Sequence, residues 1–167
     1  EVAAELIECA SAAEAVRGAD IVTTLTADKT RAAVLRGEWL EEGMHINAVG
    51  GDCPGKTELD AAILRRARVF VEFDPQTRIE GELQHMPADF VVTELWRVLT
   101  GQAPGRCDRA DVTLFDSVGF ALEDYSVMRH MQALGRAHGG LESLALIPRL
   151  DDPKDLYSLI RAAEAGT

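Results

Sequence analysis

The 167 residues are enough for one domain with a sizeable core, and a hydrophobic fraction of 47% is ordinary for a globular protein. The formal net charge of −11 argues against a nucleic-acid-binding or anionic-membrane-binding protein, because both classes need basic surfaces. Cys9, Cys53 and Cys107 match neither a disulfide framework nor a zinc site, which indicates a cytoplasmic protein. His85, His130 and His138 show no metal-ligand spacing, so we expect no bound metal.

The start of the chain indicates a piece of a longer protein. Glu1 replaces the usual Met, and the residues that follow already lie within an apolar–polar pattern. The alternative is a complete domain with a trimmed start. We favour the first interpretation.

Strands and helices alternate in the first half of the chain. Ser11 followed by Glu14 is a capping-box pattern that predicts a helix start, and Gly18 predicts its end. Residues 19–25 are apolar or β-branched, which is typical of a strand buried on both faces. The predicted strands are residues 6–9, 19–25, 44–49 and 68–72, and the predicted helices are 12–16, 29–35 and a helix ending at 67, capped by Thr57 or Asp60. This alternation predicts an α/β fold with a parallel sheet and flanking helices.

The second half is less regular. Residues 73–87 show no clear period, whereas residues 88–100 have apolar side chains at helical spacing before Gly101. The remaining predictions are a polar loop at 102–110, a last strand at 111–115, a long amphipathic helix at 120–137, an extended segment at 141–147 and a terminal helix at 154–163.

The most informative stretch is residues 45–59, HINAVGGDCPGKTEL. An apolar strand runs into Gly50 and Gly51, which allow a ligand to approach the backbone closely, and Asp52 follows at once. Ligands of α/β proteins bind at this carboxyl end of the strands. A carboxylate beside a substrate ammonium stays ionised and can accept its proton, so Asp52 is a candidate acid/base residue. An Asp that only stabilises a turn explains the spacing equally well.

Other polar residues also follow predicted strands. Thr26, the strand end at Asn47, and Ser117 would meet at one sheet edge, although capping and turn formation explain such residues too. Lys56 could contact a phosphate or nicotinamide-side group, or lie solvated in a first helical turn. We expect His45 to be a hydrogen-bonded core or edge histidine. Glu80 and Glu82 are most simply explained as solvated.

No Gly-x-Gly-x-x-Gly motif occurs in the sequence. In a Rossmann fold this phosphate loop follows the first strand, and the acidic ribose-binding residue follows the second. If this chain is the later part of such a fold, both features precede it. The residues alone therefore indicate part of an α/β ligand-binding domain.

The sequence resembles the ornithine cyclodeaminase/μ-crystallin family over nearly its whole length. The similarity is carried by GADIVTT at 18–24, by residues 45–59 and by FDSVGFALED at 115–124. Four further segments resemble the bacterial ornithine cyclodeaminases in particular: TADK at 26–29, DCPGK at 52–56, EFDPQTRIEGE at 72–82 and DPKDL at 152–156.

The resemblance implies a homodimeric enzyme with a Rossmann-like NAD-binding domain and a separate substrate domain. It implies that L-ornithine is oxidised by hydride transfer to NAD, cyclises with loss of ammonia, and is reduced to L-proline by the same cofactor. Residues 1–117 would be the later portion of the cofactor domain, lacking its first βαβ unit. Residues 118–167 would be a helical extension that packs toward the substrate domain.

The resemblance also assigns roles to individual residues. Asp52 would be the acid/base residue and contact the substrate, and Val118 would lie against the substrate. Contacts to NAD would come from Thr26, Asn47, Ala48, Val49, Lys56 and Ser117. Because the family's substrate-carboxylate and phosphate-binding residues belong to the other half, we expect this chain alone to be inactive.

Alternatives within the family are a ketimine reductase, a lysine cyclodeaminase or an amino-acid dehydrogenase. A non-catalytic, crystallin-like ligand-binding protein is an alternative of another class. The presence of Asp52 argues against it, since a pure binder does not require a placed carboxylate.

Overall fold

The computed structural model describes residues 4–26, 31–142, 152, 154 and 155. Internal contacts divide the chain into two compact units, Glu1–Asp124 and Tyr125–Thr167. Within the described residues no helix is long and apolar enough to cross a membrane. Cys9, Cys53 and Cys107 are all free thiols.

The first unit is built on a parallel sheet, as the α/β alternation predicts. Its five strands lie in the order β1-β3-β7-β5-β6, and β2 and β4 form a separate parallel pair. The strands are β1 (Ile21–Thr24), β2 (Arg31–Leu35), β3 (His45–Ala48), β4 (Thr57–Leu59), β5 (Arg68–Val71), β6 (Thr93–Glu94) and β7 (Thr113–Asp116). The helices are α1 (Ala12–Val16), α2 (Ala61–Arg66), α3 (Asp74–Glu80), α4 (Leu95–Leu99) and α5 (Ala121–His138), with 3₁₀ turns at Gly37–Trp39 and Glu82–His85.

The core lies against one face of the sheet. Ile46 of β3 and Leu114 of β7 are fully buried, and the β3–β7 register places them side by side. They pack with residues of α1, β2, β4, α2 and the second 3₁₀ turn, among them Val16, Leu35, Leu59, Ile63, Leu64 and Leu83. Burial of these apolar side chains is the main force that holds the strands in register.

Local signals located several elements correctly. The Ser11 hydroxyl accepts from the Glu14 amide at 3.2 Å and begins α1, and Gly18 ends it with φ +71°. α5 matches the predicted long helix, and Gly139 follows its end with φ +68°. The expected segments at 143–147 and 156–163 lie outside the described residues.

Two predictions about helices were wrong, and a third left two possible caps of which one is observed. Residues 31–35 form the strand β2, because they pair in parallel with β4 and bury Leu35. Of the two caps predicted for the helix ending at 67, Asp60 is confirmed, because its carboxylate accepts from the Ala62 amide, whereas Thr57 belongs to β4. The predicted helix at 88–100 contains β6 followed by the short α4, since Thr93 and Glu94 extend the sheet beside β5.

Two further segments differ from expectation. Residues 6–9 form no strand, and residues 73–87 contain α3 and a 3₁₀ turn. Pro75 in the first turn of α3, with the Asp74–Arg78 ion pair at 2.8 Å, was the available helix signal. The prediction that β1 is buried on both faces was also wrong. Ile21 is 64% exposed, and its strand β1 is the edge strand that pairs with β3 among the described residues.

Candidate active site

Three strand ends meet at one edge of the sheet. The Val49 amide donates to the Thr24 carbonyl at 3.1 Å, and the Ser117 amide donates to the Ala48 carbonyl at 2.9 Å. These bonds continue the register of β1, β3 and β7 beyond their last residues. The segments that carry Thr26, Asp52 and Ser117 therefore leave the sheet side by side, at the edge where ligands of parallel sheets bind.

Asp52 lies on an exposed loop and forms an ion pair with a buried lysine. Lys56 Nζ is 3.2 Å from Asp52 Oδ1, and the Lys56 side chain is 6% exposed whereas that of Asp52 is 59% exposed. The hydrogen bond from Lys56 is the main reason that the pKa of Asp52 lies below its ordinary value of 3.8. Asp52 is consequently ionised at neutral pH and open to a ligand. Lys56 leads directly into β4, so it is not a solvated first-turn residue.

Gln84, which the local sequence does not single out, holds this loop in place. Gln84 Oε1 accepts from the Gly55 amide at 2.7 Å, while its Nε2 donates to the carbonyls of Cys53 and Lys56, each at 3.3 Å. Gly55 adopts φ +86°, a conformation that favours glycine, and turns the chain back toward Lys56. Gln84 belongs to the 3₁₀ turn Glu82–His85, so that turn fixes the position of the loop.

Three carboxylates are buried beneath the loop. Glu58 is 2% exposed, and Glu82 and Asp116 are fully buried. The expectation that Glu82 is solvated is therefore wrong. Its two oxygens accept from the amides of Glu58 at 2.6 Å and Leu59 at 3.0 Å, which compensates for the water that it loses. Nothing in the local sequence distinguishes Glu82 from Glu80, which is only half-buried.

Burial also changes the acidity of two of these groups. Desolvation is the largest influence on both, and it raises the pKa of Glu82 to about 7 and that of Asp116 to about 7. Hydrogen bonds from backbone amides lower both pKa values. The negative charge of Glu58 raises the pKa of Glu82, and the negative charge of Glu82 raises the pKa of Asp116. Both carboxyl groups therefore change charge near neutral pH.

A fourth carboxylate, on Glu72, organises the segment after β7. Its Oε1 accepts from the Ser117 hydroxyl, and its Oε2 accepts from the amides of Val118 at 2.9 Å and Gly119 at 3.0 Å. Ser117 and Val118 are thus held in place by Glu72, which directly follows β5. The sequence contained no signal for this role, because the contact joins residues 45 or more positions apart.

The other predicted site residues lie in different environments. Thr26 is exposed, although its amide and hydroxyl both donate to Glu58 Oε1. Ala48 is buried, while Val49 is 36% exposed. Asn47 points across the sheet rather than toward its edge: its Nδ2 donates to Thr23 Oγ1 at 3.3 Å, and its Oδ1 lies 3.1 Å from His45 Nε2.

His45 is hydrogen-bonded as expected. Its Nδ1 lies 2.8 Å from Thr113 Oγ1, which also accepts from Arg106 Nη2 at 2.9 Å. The Thr113 hydroxyl can therefore donate to Nδ1, and the Nε2–H can donate to Asn47 Oδ1. This arrangement satisfies a neutral imidazole and makes His45 a structural residue of the sheet.

The strand ends offer neutral hydrogen-bonding groups to a ligand. A cleft of about 280 Å³ beside β1 is lined by Thr24 and Thr26 together with residues of α1 and β2. Thr24 Oγ1 is buried without a hydrogen-bond partner among the described residues. Within the same part of the chain, no three His, Cys, Asp or Glu residues are placed to hold a metal ion. The amide and hydroxyl of Thr26 donate to Glu58, whereas the Thr24 hydroxyl remains available and suits a hydroxyl or amide group of a nucleotide cofactor.

The chain is similar in sequence and in structure to known proteins. A profile of the ornithine cyclodeaminase/mu-crystallin family matches residues 1–135. The ornithine cyclodeaminase of Brucella suis is 53% identical over 156 residues, which are 93% of this chain and 44% of that protein. Among solved structures, a lysine cyclodeaminase described as recognising L-lysine, L-ornithine and L-2,4-diaminobutyric acid superposes with a TM-score of 0.76 at 31% identity, covering 91% of this chain and 44% of that one.

An archaeal alanine dehydrogenase dimer with bound NAD superposes with a TM-score of 0.73 at 32% identity, over 81% of this chain and 43% of that one. In each comparison the chain spans less than half the length of the protein that it matches.

Proposed function

This chain belongs to the ornithine cyclodeaminase/mu-crystallin family, and we propose that it is the part of an NAD-dependent ornithine cyclodeaminase that carries the acid/base residue. The whole protein would convert L-ornithine to L-proline and ammonia. The observation that carries the proposal is Asp52, an exposed, ionised carboxylate paired with the buried Lys56 at the carboxyl end of β3. Identity of 53% to the Brucella suis enzyme supports ornithine as the substrate.

The proposed role of Asp52 follows from its charge and exposure. A carboxylate that is ionised at neutral pH attracts the ammonium groups of a diamino acid and can accept a proton from one of them. Lys56 restricts Asp52 from one side, which orients the carboxylate without closing it to a ligand. Val118, held by Glu72, would contact the substrate from the adjacent strand end.

NAD, when bound, supplies the hydride acceptor and donor of the reaction. We propose that Thr26, Val49, Lys56 and Ser117 contact it at the sheet edge, and that the buried Ala48 provides backbone contacts only. Asn47 would act mainly by fixing the strand, since its amide already bonds with Thr23 and His45. In a Rossmann fold the phosphate-binding loop follows the first strand, so contacts at these later strand ends suit the nicotinamide side of the cofactor.

The proposed setting is a cytoplasmic homodimer that contributes to proline biosynthesis. The dimeric state of the similar alanine dehydrogenase supports the oligomer. The acidic composition suits a small-molecule enzyme better than one acting on nucleic acid or at an anionic membrane.

An assay of the full-length protein tests this function. We expect L-ornithine with a catalytic amount of NAD to give equal amounts of proline and ammonia without net formation of NADH. L-Lysine and L-2,4-diaminobutyric acid, which the similar lysine cyclodeaminase recognises, provide the specificity controls. Faster turnover of lysine would assign the protein to lysine cyclodeaminases, and net NADH formation would assign it to dehydrogenases.

A further inference from the structure

The three buried carboxylates form a continuous series, which we call the carboxylate ladder (Asp116, Glu82 and Glu58). The two oxygens of Asp116 accept from the amides of Glu82 and Leu83, each at 3.0 Å. The Glu82 carboxylate in turn accepts from the amides of Glu58 and Leu59. The Glu58 carboxylate then accepts from the amide and the hydroxyl of Thr26. Each side chain therefore holds the segment that carries the next one.

Each carboxylate of the ladder also packs against a glycine. A Cβ atom added to Gly81 would lie 2.6 Å from Asp116 Oδ1, one added to Gly51 would lie 3.0 Å from Glu82 Oε1, and one added to Gly50 would lie 1.9 Å from Glu58 Oε2. Gly50 and Gly51 immediately precede Asp52. The path of the backbone into Asp52 is consequently determined by contact with two buried carboxylates.

A purely structural role explains the ladder poorly. Buried charges are expensive to desolvate, and apolar residues of similar volume commonly give equal or greater stability. Here the acidic side chains converge on residues of the candidate active site: Asp52 through the two glycines, and Thr26 through Glu58. Two parallel bonds to adjacent amides also restrict direction more strongly than apolar packing does.

We propose that Glu82 is a positioning residue, which acts through Glu58 and Gly51 to place Asp52 and Thr26 for the reaction. This inference deepens the proposed function and rests on it. Glu82 is the central member of the ladder, held at its own backbone by Asp116 and holding β4 with its side chain. Its removal disconnects the end of β7 from the loop that carries Asp52.

Above about pH 7, where Glu82 is ionised, its side chain accepts two amide hydrogens, whereas a glutamine accepts only one and presents an NH₂ group to the other donor. In Glu82→Gln one backbone N–H of β4 therefore loses its partner, and the contact with Gly51 changes. Because a displacement of about 1 Å in a catalytic group lowers turnover by about 10²-fold, we expect the chemical step to be affected more than substrate binding.

The first experiment compares Glu82→Gln with Glu80→Gln in the full-length protein. The control removes a charge two residues away, on a half-buried side chain that does not belong to the ladder. We expect Glu82→Gln to lower kcat at least 10-fold while the KM for ornithine changes less than about 3-fold. Glu80→Gln should retain wild-type values. A folded Glu82→Gln variant with wild-type kcat would overturn the inference, as would equal losses in both variants.

A second variant leaves all the carboxylates intact. Gly51→Ala brings a methyl group against Glu82 Oε1, and Gly140→Ala is the matched control because an added Cβ there has no neighbour within 4 Å among the described residues. We expect Gly51→Ala to lower kcat in the same way as Glu82→Gln. Wild-type kcat in Gly51→Ala contradicts the proposal even if Glu82→Gln fails to fold.

A third measurement separates this inference from the proposed function. The carboxyl ¹³C titration of Asp52 requires no substrate, and its low pKa depends on the contact with Lys56. If Glu82 places the loop, Glu82→Gln raises the pKa of Asp52 and Glu80→Gln leaves it unchanged. Failure of the wild type to make proline refutes the proposed function alone, whereas an unchanged Asp52 titration in Glu82→Gln refutes the positioning role.

Discussion

The loop that carries Asp52 and the layer beneath it use the same chemical group in opposite ways. Asp52 is mostly exposed and its pKa is lowered by Lys56, whereas Glu82 and Asp116 are fully buried and their pKa values rise to about 7. The exposed carboxylate is available to a ligand, and the buried ones are occupied by backbone amides. Residue type therefore does not define function here; solvent access and hydrogen-bond partners do.

The two regions also differ in how much the local sequence reveals about them. Asp52 stands out in the sequence because glycines, a proline and a lysine surround it. Glu82 has an ordinary acidic neighbourhood and yet holds β4 in place. A site residue that contacts a ligand can leave a local signature, whereas one that contacts distant backbone leaves none.

The largest expected effect is that of Asp52→Asn on turnover. An amide keeps the size of the side chain but cannot act as the acid/base group, so kcat should fall by about 10²–10⁴-fold. NAD affinity, measured by titration calorimetry on the full-length protein, should stay near the wild-type value. Unchanged turnover would show that Asp52 has no catalytic role, so that the exposed and buried carboxylates would not differ in function.

The next effect concerns the stability of the buried layer. Between pH 5 and about 7 the unfolded carboxyl of Glu82 is ionised while the folded one still binds a proton, because its pKa rises from 4.5 to about 7. A raised pKa gives stability that is present at low pH and is lost as the pH rises through the folded value. At about 1.4 kcal/mol per pKa unit, the free energy of unfolding should fall by roughly 3 kcal/mol.

Chemical denaturation at pH 5, 6, 7 and 8 measures this loss, and Glu82→Gln serves as the reference because it has no group to titrate at this position. The wild type should lose stability relative to the variant over this range. A difference that stays constant with pH would show that Glu82 does not change charge near neutrality.

A smaller loss of stability is expected when a methyl group is forced between the two regions. Gly50→Ala places a Cβ 1.9 Å from Glu58 Oε2, and overpacking of a buried site costs about 1–3 kcal/mol. Thermal unfolding of the variant should begin at a lower temperature than that of the Gly140→Ala control. Equal melting temperatures would mean that the loop yields without disturbing Glu58.

The smallest expected effect isolates the origin of the low pKa of Asp52. Lys56→Met keeps an unbranched side chain in a buried position but removes the ammonium group. The pKa of Asp52 should rise toward its ordinary value of 3.8, because the hydrogen bond from Lys56 is the largest cause of its depression. The ¹³C titration of the Asp52 carboxyl measures the change, and a pKa that stays low would identify another partner as the cause.

Much of the architecture follows from local sequence. The Ser11 cap, the glycines after α1 and α5, and the apolar runs of β3, β5 and β7 predicted those elements, because each signal acts within a few residues. The same kind of signal marked residues 50–56 as a candidate functional loop. A parallel α/β sheet follows from the alternation of such elements.

The tertiary structure alone decided the rest. Residues 31–35 contain helix formers but form β2, because pairing with β4 buries Leu35 and outweighs a weak helical preference. Glu82 and Glu80 differ by two positions in the chain, yet only Glu82 meets the amides of β4, which lie 23 and 24 residues earlier. Local sequence determined where the loop that carries Asp52 is. Contacts between distant segments, which carry most of the burial and hydrogen-bond energy, determined what holds it.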